Sequence, residues 1–215
     1  MKPPASTTIL GIETSCDETA AAVLDGEGHV LANVISSQQT VHERFGGVVP
    51  ELASRAHIQN VDHVTRQALD AAGLTWQDLG AIAVTQGPGL AGALLVGISY
   101  AKSLAYALGI PLVGVIHLQG HIASAWIDRP SFPRTCVVLI ASGGHTHLFH
   151  ATEHGGFHLM GRTIDDAAGE AFDKGAQMLG LGYPGGPLID AAARKGSPAA
   201  VRFPRSRVRT GQLDF

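Results

Sequence analysis

Two segments of the chain share one pattern, an apolar run followed by a turn of small and polar residues and then by a second strand-like run. The first occupies residues 9–24 and the second residues 137–150. Apolar runs joined by a short polar turn predict a β-hairpin. A turn of small residues also lets backbone N–H groups approach a phosphate. The pattern therefore predicts two hairpins in two domains of similar build, although two unrelated hairpins would give the same signal.

Strand-like and helix-like runs alternate along the rest of the chain. Further strands are predicted at residues 30–35, 81–85, 111–116 and 157–163, and helices at residues 51–72, 94–108, 117–126, 167–179 and 188–194. A glycine- and proline-rich loop is predicted at residues 180–187. Strands alternating with helices are typical of α/β layers.

A polar stretch with two prolines, residues 128–133, predicts a domain boundary. We therefore expect one domain at residues 1–130 and a second at residues 131–215. No element that would complete the second domain is recognisable before residue 215, so we expect residues 131–215 to be the first part of a larger domain.

Composition narrows the class of protein. Hydrophobic residues make up 45% of the chain and charged residues 15%, which favours a packed core over disorder. The two cysteines, Cys16 and Cys136, do not indicate a disulfide framework. The N-terminus lacks the apolar core of a signal peptide. The apolar stretch at residues 90–116 is interrupted by Lys102 and several glycines, which argues against a membrane-spanning helix. We expect a cytoplasmic protein without membrane association.

Charge gives little support for nucleic-acid binding by the chain as a whole, because the formal net charge is −3. Arginines at positions 202, 205, 207 and 209 do crowd one short stretch. Such a cluster can contact phosphates, but a solvated loop accounts for it equally simply.

His117 and His121 form the sequence H-L-Q-G-H. Residues at i and i+4 share a helix face, so both imidazoles can reach one metal ion. Neutral imidazoles suit zinc or ferrous iron, and a third protein ligand is still needed. Chance spacing is a competing explanation in a chain with 11 histidines. The zinc-protease version of this motif has a Glu directly after the first His, where this chain has Leu118.

Small and acidic residues mark three further candidate sites. The Ser142–Gly143–Gly144 turn follows an apolar strand and would let a phosphate approach the backbone. Asp17 and Glu18, at the turn of the first hairpin, could hold a cation or polarise a water molecule. Ordinary exposed turns would also explain both sets.

The third candidate site lies in the acidic helix and the loop after it. Asp166, Glu170 and Asp173 follow i, i+4, i+7 spacing and predict one acidic helix face, from which a carboxylate could accept a ribose hydroxyl. The run from Tyr183 to Pro187, with Asp190 after it, could bracket a nucleotide. The simpler explanations are a solvated helix face and a rigid turn.

Taken together these segments closely resemble the TsaD/Gcp family. The resemblance rests on residues 11–19 (G-I-E-T-S-C-D-E-T), residues 46–55 (G-G-V-V-P-E-L-A-S-R), residues 87–90, 117–121, 142–146 and 164–174, and residues 183–187. It implies an actin-like, sugar-kinase or Hsp70 ATPase fold of two ribonuclease-H-like domains, the second incomplete in this chain. It also implies a tRNA N6-adenosine threonylcarbamoyltransferase. Such an enzyme transfers the threonylcarbamoyl group from threonylcarbamoyl-adenylate to the adenosine 3′ of the anticodon, in tRNAs that read codons beginning with A.

The resemblance also implies roles for single residues. His117 and His121 match metal ligands, for Fe²⁺ or Zn²⁺. Asp17 and Glu18 match acidic residues on the phosphate side of the catalytic site. The nucleotide-binding positions are matched by Ile140, Ala141, Ser142, Gly143, Gly144, Asp173, Gly186 and Asp190. The expected partners are tRNA, a paralogous non-catalytic dimer partner and a small ATPase of the same pathway.

Two departures from the family pattern bear on these expectations. Gln119 stands where the family usually has Glu, which removes a charge beside the metal ligands without removing a ligand. The family also continues beyond this length, with an Asp as third metal ligand and a nucleotide-contacting Asn. We therefore expect the chain alone to be incomplete for activity.

Three other functions are compatible with parts of the sequence. A non-catalytic scaffold of the same fold would need no metal, and both histidines argue against it. A metalloprotease lacks its general base at Leu118. A sugar or acetate kinase of this fold would leave the histidine pair without a role.

Overall fold

Strands and helices alternate along the chain. The structure is a computed structural model, and it describes residues 8–127, 129, 131–153, 156–204 and 213–215. The strands are β1 (Thr8–Glu13), β2 (Glu18–Leu24), β3 (Val30–Ser37), β4 (Leu79–Gly87), β5 (Leu112–Ile116), β6 (Cys136–Ala141), β7 (Thr146–Ala151) and β8 (Phe157–Arg162). The helices are α1 (Gln39–His42), α2 (Pro50–Ala72), α3 (Ala91–Leu108), α4 (His117–Ala123), α5 (Ala168–Met178) and α6 (Gly185–Ala193). The chain divides into two compact units, residues 1–130 and 131–215.

The first unit is built on a five-stranded sheet with the order β3-β2-β1-β4-β5. The first hairpin pairs β1 with β2 in antiparallel fashion, and β3 extends it on the same side. On its other edge β1 pairs in parallel with β4, and β4 pairs in parallel with β5. Helices connect these parallel strands, as parallel pairing requires.

Two long helices cover this sheet. α2 packs on β2 and β3, α3 packs on β4, and the two helices contact each other. α2 begins with Pro50, which suits the first helical position because its missing N–H would have no partner there. α2 and α3 each end at a glycine, Gly73 and Gly109, with a φ of +67°. Only glycine adopts this left-handed conformation without strain, so these two residues set where the helices stop.

The core lies between the sheet and these helices. Alternate residues of β1, β2 and β4 point into it, as the period of two in a half-buried strand requires. Its buried members are Leu10, Ile12, Ala21, Val23, Ala32, Val61, Val64, Ala68, Leu69, Leu79, Ile82, Val84, Ala101 and Ala105.

The second unit has an antiparallel sheet with the order β6-β7-β8. β6 and β7 form the second predicted hairpin, with Ala141 paired to Thr146 across the turn. α5 and α6 follow and pack on each other.

Residues 185–187 depart from the sequence prediction, because they form the first turn of α6 and not a loop. Gly185 is buried against α5, where a Cβ would come within 2.7 Å of Ala176. Glycine and proline are unfavourable inside a helix, but proline is well suited to its first turn. Composition alone therefore gave the wrong prediction for this segment.

Several predictions concern residues that lie outside the described part of the chain. These are the N-terminal residues 1–7, positions 128 and 130 of the predicted boundary, and arginines 205, 207 and 209 of the basic cluster. Arg202, the remaining member of that cluster, is exposed.

Among the described residues, α3 is long and apolar enough to cross a membrane by length and composition alone. Core helices of soluble proteins pass the same test, and α3 packs on β4 and α2. The expectation of no membrane association stays a prediction.

Gly97 of α3 tests the packing between this helix and the first hairpin. A Cβ at this position would collide with the Oγ1 of Thr14, which is fully buried and donates a hydrogen bond to the Ala93 carbonyl at 2.9 Å. We expect Gly97→Ala to lower the free energy of unfolding by about 1–3 kcal/mol in urea titrations. Gly120→Ala is the matched control, because a Cβ there meets nothing within 4 Å and alanine favours a helix. Equal stability of both variants would contradict this packing.

Candidate metal centre and nucleotide-contact residues

Three polar side chains meet at one edge of the first sheet. β1 ends at Glu13, β4 carries Thr85 near its end, and α4 begins at His117 directly after β5. The registers place Ile12 beside Val84 and Thr85 beside Val115. Because the carboxyl ends of neighbouring parallel strands share an edge, residues far apart in sequence are brought together. Ligands of open α/β sheets bind at this edge.

His117 and His121 lie one turn apart on α4 and face each other. Their Nε2 atoms are 3.0 Å apart, and the two rings meet edge to face with centroids 4.5 Å apart. The spacing read from the sequence therefore does bring the two imidazoles together.

The Nδ1 side of His117 faces Glu13. Nδ1 lies 3.0 Å from Glu13 Oε2 and 3.2 Å from Ser15 Oγ. Thr85 donates its hydroxyl hydrogen to the same Glu13 oxygen at 2.7 Å, and the Ser15 backbone N–H donates to Glu13 Oε1. Burial raises the pKa of Glu13, but hydrogen bonds from His117, Ser15 and Thr85 outweigh burial and hold the pKa at about 2. Glu13 is therefore a carboxylate at neutral pH.

The donor set of the pair fits Zn²⁺ or Fe²⁺. The two Nε2 atoms, 3.0 Å apart, are close enough to bind one ion at the usual metal–nitrogen distances of about 2.0–2.1 Å. Burial, followed by the neighbouring His117, lowers the pKa of His121 and favours the neutral imidazole that binds metals. Within the described residues, no group of three His, Cys, Asp or Glu side chains could hold a metal ion.

Asp17 and Glu18 lie in the turn between β1 and β2. The Asp17 side chain is half-buried, and its backbone carbonyl accepts a hydrogen bond from the Gln38 N–H at 3.0 Å. Glu18 begins β2, is exposed and pairs with Ser37 of β3. Contacts with the end of β3 and with Gln38, which directly precedes α1, therefore hold this turn in place.

A buried histidine holds the start of the same turn. His57 of α2 is fully buried, and its Nε2 lies 3.0 Å from the Cys16 carbonyl. A carbonyl only accepts, so Nε2 carries the hydrogen, and Nδ1 is free to accept. The Thr19 hydroxyl donates to this Nδ1 at 2.8 Å, and the Gln38 amide lies 3.4 Å from it.

The network continues to a second buried histidine. The Val49 backbone N–H donates to His42 Nδ1 at 3.2 Å, so His42 Nε2 carries the hydrogen and donates to Gln38 Oε1 at 3.1 Å. Both histidines are therefore used as neutral donors and acceptors. The network joins α1 and α2 to the turn that carries Asp17 and Glu18.

In the second unit, the Ser142–Gly143–Gly144 turn is held by hydrogen bonds within the turn and by one to α5. The Ser142 N–H donates to the His145 carbonyl at 2.8 Å, and the Gly169 N–H donates to the Ser142 carbonyl at 3.0 Å. A Cβ at Gly169 would come within 2.7 Å of Gly143, so this approach needs glycine. Gly143 and Gly144 are exposed, and a Cβ at either would meet nothing within 4 Å. The outer side of the turn is open to a ligand.

The strand before this turn supplies two further predicted contacts. Ile140 is buried in β6 and pairs with His147, whereas Ala141 is exposed at the end of the strand. Of these two residues, only Ala141 is accessible to a nucleotide within this unit.

Asp173 contacts the start of α6, where Gly186 lies. Asp173 Oδ1 accepts the Gly185 N–H at 2.7 Å. A carboxylate is favourable at a helix N-terminus. Asp190, one turn further along α6, is exposed. Its Oδ2 accepts hydrogen bonds from Arg194 Nε at 3.1 Å and Arg194 Nη2 at 2.8 Å. Asp173 therefore lies at the first turn of α6, which contains Gly186, whereas Asp190 pairs with Arg194 on the helix surface.

The predicted acidic helix face is wrong in its details. Asp166 precedes α5, and together with Glu170 it pairs with Lys174 at 2.7 and 3.0 Å. Asp173 contacts α6 instead. The three acids divide between an ion-pair cluster and a helix contact, because the helix begins two residues later than their spacing assumes.

Sequence reasoning missed the side chains that support the site. Glu13, Thr85 and Ser15 around His117, and the network of His57 and His42, had not been singled out. Glu13 and Thr85 could have been found only from the parallel pairing of β1 with β4, since both residues lie near strand ends.

Comparisons with known proteins agree with the resemblance read from the sequence. The family model described as tRNA N6-adenosine threonylcarbamoyltransferase matches residues 29–215. Curated proteins of that name from Moorella thermoacetica and Clostridium perfringens are 56% and 55% identical over 209 and 207 residues, which cover 97% and 96% of this chain. The chain spans 61% of the length of each of these relatives.

One solved structure is similar in fold, that of an uncharacterized protein with similarity to the peptidase YEAZ from Pseudomonas aeruginosa. It has a TM-score of 0.50 and 24% identity, and the match covers 71% of this chain and 63% of that one. At this identity the likeness concerns the fold alone. The predicted α/β fold of the actin-like ATPase class is confirmed.

The buried histidine network makes stability depend on pH. Burial is the largest influence on His57 and lowers its pKa below the ordinary 6.5; the Cys16 carbonyl, Glu13 and Asp17 oppose this, and His42 adds to it. The unfolded chain therefore binds the proton at a higher pH than the folded chain. We expect the free energy of unfolding to fall as pH drops below about 6.5, by at most about 1.4 kcal/mol per pH unit from His57.

Urea titrations at a series of pH values measure this dependence. His57→Gln removes the ionisable group while keeping an amide donor and acceptor, and its free energy of unfolding should fall less steeply below pH 6.5 than that of the unaltered chain. Parallel pH profiles for the two proteins would show that His57 does not contribute.

Proposed function

Because the chain belongs to the tRNA N6-adenosine threonylcarbamoyltransferase family, we propose that it forms the metal-binding unit and part of the nucleotide-binding unit of such an enzyme. The donor is threonylcarbamoyl-adenylate. The acceptor is N6 of the adenosine 3′ of the anticodon, in tRNAs that read codons beginning with A. The chain spans 61% of the length of its curated relatives, so the complete reaction also draws on residues outside it.

The histidine pair is the observation that carries this proposal. Its two Nε2 atoms converge to 3.0 Å at the carboxyl edge of the parallel strands. A kinase of the same fold would have no use for it, and a metalloprotease would need a carboxylate at Leu118. A scaffold would not need the carboxylate that contacts His117 on its other side.

In the proposed mechanism, His117 and His121 hold one Fe²⁺ or Zn²⁺ ion, together with a ligand from outside this chain. When bound, such an ion acts as a Lewis acid toward the carbamoyl carbonyl. The exocyclic amine of the adenosine attacks the carbamoyl carbon, a C–N bond forms, the C–O bond to the adenylate phosphate breaks, and the amine loses a proton. Adenosine monophosphate leaves.

The other predicted residues would bind the adenylate. The open Gly143–Gly144 turn would receive its phosphate, where backbone N–H groups stabilise the charge of the leaving group. Asp173, Gly186 and Asp190 would contact the ribose and base; Asp190 would exchange its pair with Arg194 for this contact. Asp17 and Glu18 would face the phosphate side of the reaction. The target adenosine must be splayed from its loop to reach such a site.

We propose a cytoplasmic protein whose partners are tRNA, a paralogous non-catalytic subunit and a small ATPase. An exposed apolar groove of about 350 Å³ between α2 and α3 supports a protein partner. The groove is lined by Ile58, Val61, Leu95, Val96, Ser99 and Tyr100. Ile58 and Leu95 are each 65% exposed, and apolar surface of this kind is typical of interaction sites.

Calorimetric titration with threonylcarbamoyl-adenylate tests this function. We expect the zinc-loaded chain to bind the adenylate, and the double variant His117→Ala/His121→Ala to bind it at least tenfold more weakly, because the carbonyl loses its contact with the metal. A titration with adenosine monophosphate, which lacks the carbamoyl group, is the control and should be unaffected by the double variant. Adenylate binding that is absent, or identical in both proteins, would contradict the proposal.

A further inference from the structure

We propose that Glu13 positions His117 for metal binding by holding the imidazole in the tautomer that carries its hydrogen on Nδ1. This inference deepens the proposed metal site and rests on it. Nothing in the sequence pattern had assigned a role to Glu13. The relevant atoms all belong to the first unit.

Hydrogen-bond roles around Glu13 place a hydrogen on His117 Nδ1. Thr85 donates its hydroxyl hydrogen to Glu13 Oε2, and the Ser15 backbone N–H donates to Glu13 Oε1. Both carboxylate oxygens therefore act as acceptors. His117 Nδ1, 3.0 Å from Oε2, must then supply the hydrogen of that contact. The nearby Ser15 hydroxyl at 3.2 Å can donate or accept, so it does not determine the tautomer.

This tautomer leaves the other ring nitrogen unprotonated. His117 Nε2 then accepts a hydrogen bond from His121 Nε2, 3.0 Å away, and its lone pair faces the place where the two imidazoles could share an ion. Carboxylates that accept from the remote nitrogen of a metal-binding histidine fix its orientation and raise its basicity, and their loss typically weakens metal affinity by 10- to 100-fold. Glu13 has the contacts of such a carboxylate.

The fold makes this arrangement rigid. Glu13 ends β1, Thr85 lies in the adjacent parallel β4, and His117 follows β5, the next strand. Thr85 is 7% exposed. Glu13 and Thr85 thus lie on neighbouring strands of one sheet, and His117 lies on the helix that directly follows the next strand. Such elements position groups more accurately than mobile loops.

Glu13→Gln gives a sharp test because it inverts the hydrogen-bond roles. The glutamine oxygen would still accept the Ser15 N–H, which leaves the amide NH₂ facing His117 Nδ1. That NH₂ would donate to Nδ1, and His117 would take the tautomer with hydrogen on Nε2, which must give up that hydrogen before Nε2 can bind a metal. We expect zinc affinity of the full 215-residue chain, measured by calorimetry with Zn²⁺, to fall 10- to 100-fold.

Long-range ¹⁵N–¹H spectra of the zinc-free chain report the tautomer directly. We expect His117 to carry its hydrogen on Nδ1 in the unaltered chain and on Nε2 in Glu13→Gln. Glu51→Gln, which removes an exposed carboxylate paired with Arg55, controls for charge and should change neither reading. Thr85→Val keeps the Glu13 charge and removes one donor to it, so it should lower zinc affinity less than Glu13→Gln does.

The two readings separate this inference from the proposed metal site. If His117 in the zinc-free chain carries its hydrogen on Nε2, or if Glu13→Gln leaves both the tautomer and the zinc affinity unchanged, Glu13 has no positioning role. If the tautomer responds as expected but neither protein binds zinc at His117 and His121, Glu13 does orient the ring and the metal site itself is wrong. Should Glu13→Gln fail to fold, unchanged zinc affinity in Thr85→Val would overturn the inference.

Discussion

The parallel pairing of β1, β4 and β5 is the constraint on which the candidate metal centre depends. It brings Glu13, Thr85 and His117, which are up to 104 residues apart in sequence, to one edge of the first sheet. Hydrogen bonding within the sheet fixes the backbone of Glu13, of Thr85 and of Ile116, which directly precedes His117. The buried side chains beneath, such as Leu10 and Ile82, fix the sheet against α2 and α3. A shift of register by one residue would turn Glu13 to the other face of the sheet and break its contacts with His117 and Thr85.

Polar groups buried beside that edge give the site a second anchor. His57 and His42 are neutral members of one hydrogen-bond network, in which His57 donates to the Cys16 carbonyl and His42 donates to Gln38. Such a network stabilises a unique arrangement only while every member is satisfied. It ties the position of the Asp17–Glu18 turn to α1 and α2. Stability near neutral pH and the geometry of the predicted acidic residues therefore depend on the same side chains.

Much of the fold was predictable because it depends on local patterns. Both hairpins, the strand–helix alternation and α2 follow from periodicity, and the His117–His121 pair follows from its spacing on a helix. Pairing between distant strands has no local signal, so Glu13 and Thr85 could not be assigned. The start of α6 at Gly185 was missed because glycine and proline usually mark loops, and here Asp173 and close packing on α5 override that preference.

X-ray absorption at the zinc edge would show whether His117 and His121 share one metal ion. For the 215-residue chain loaded with one equivalent of Zn²⁺, we expect two imidazole nitrogens at roughly 2.0–2.1 Å from the zinc. His121→Ala should leave one imidazole and a correspondingly larger share of water ligands. A zinc environment without imidazole, or one that the substitution leaves unchanged, would show that His117 and His121 do not share the ion.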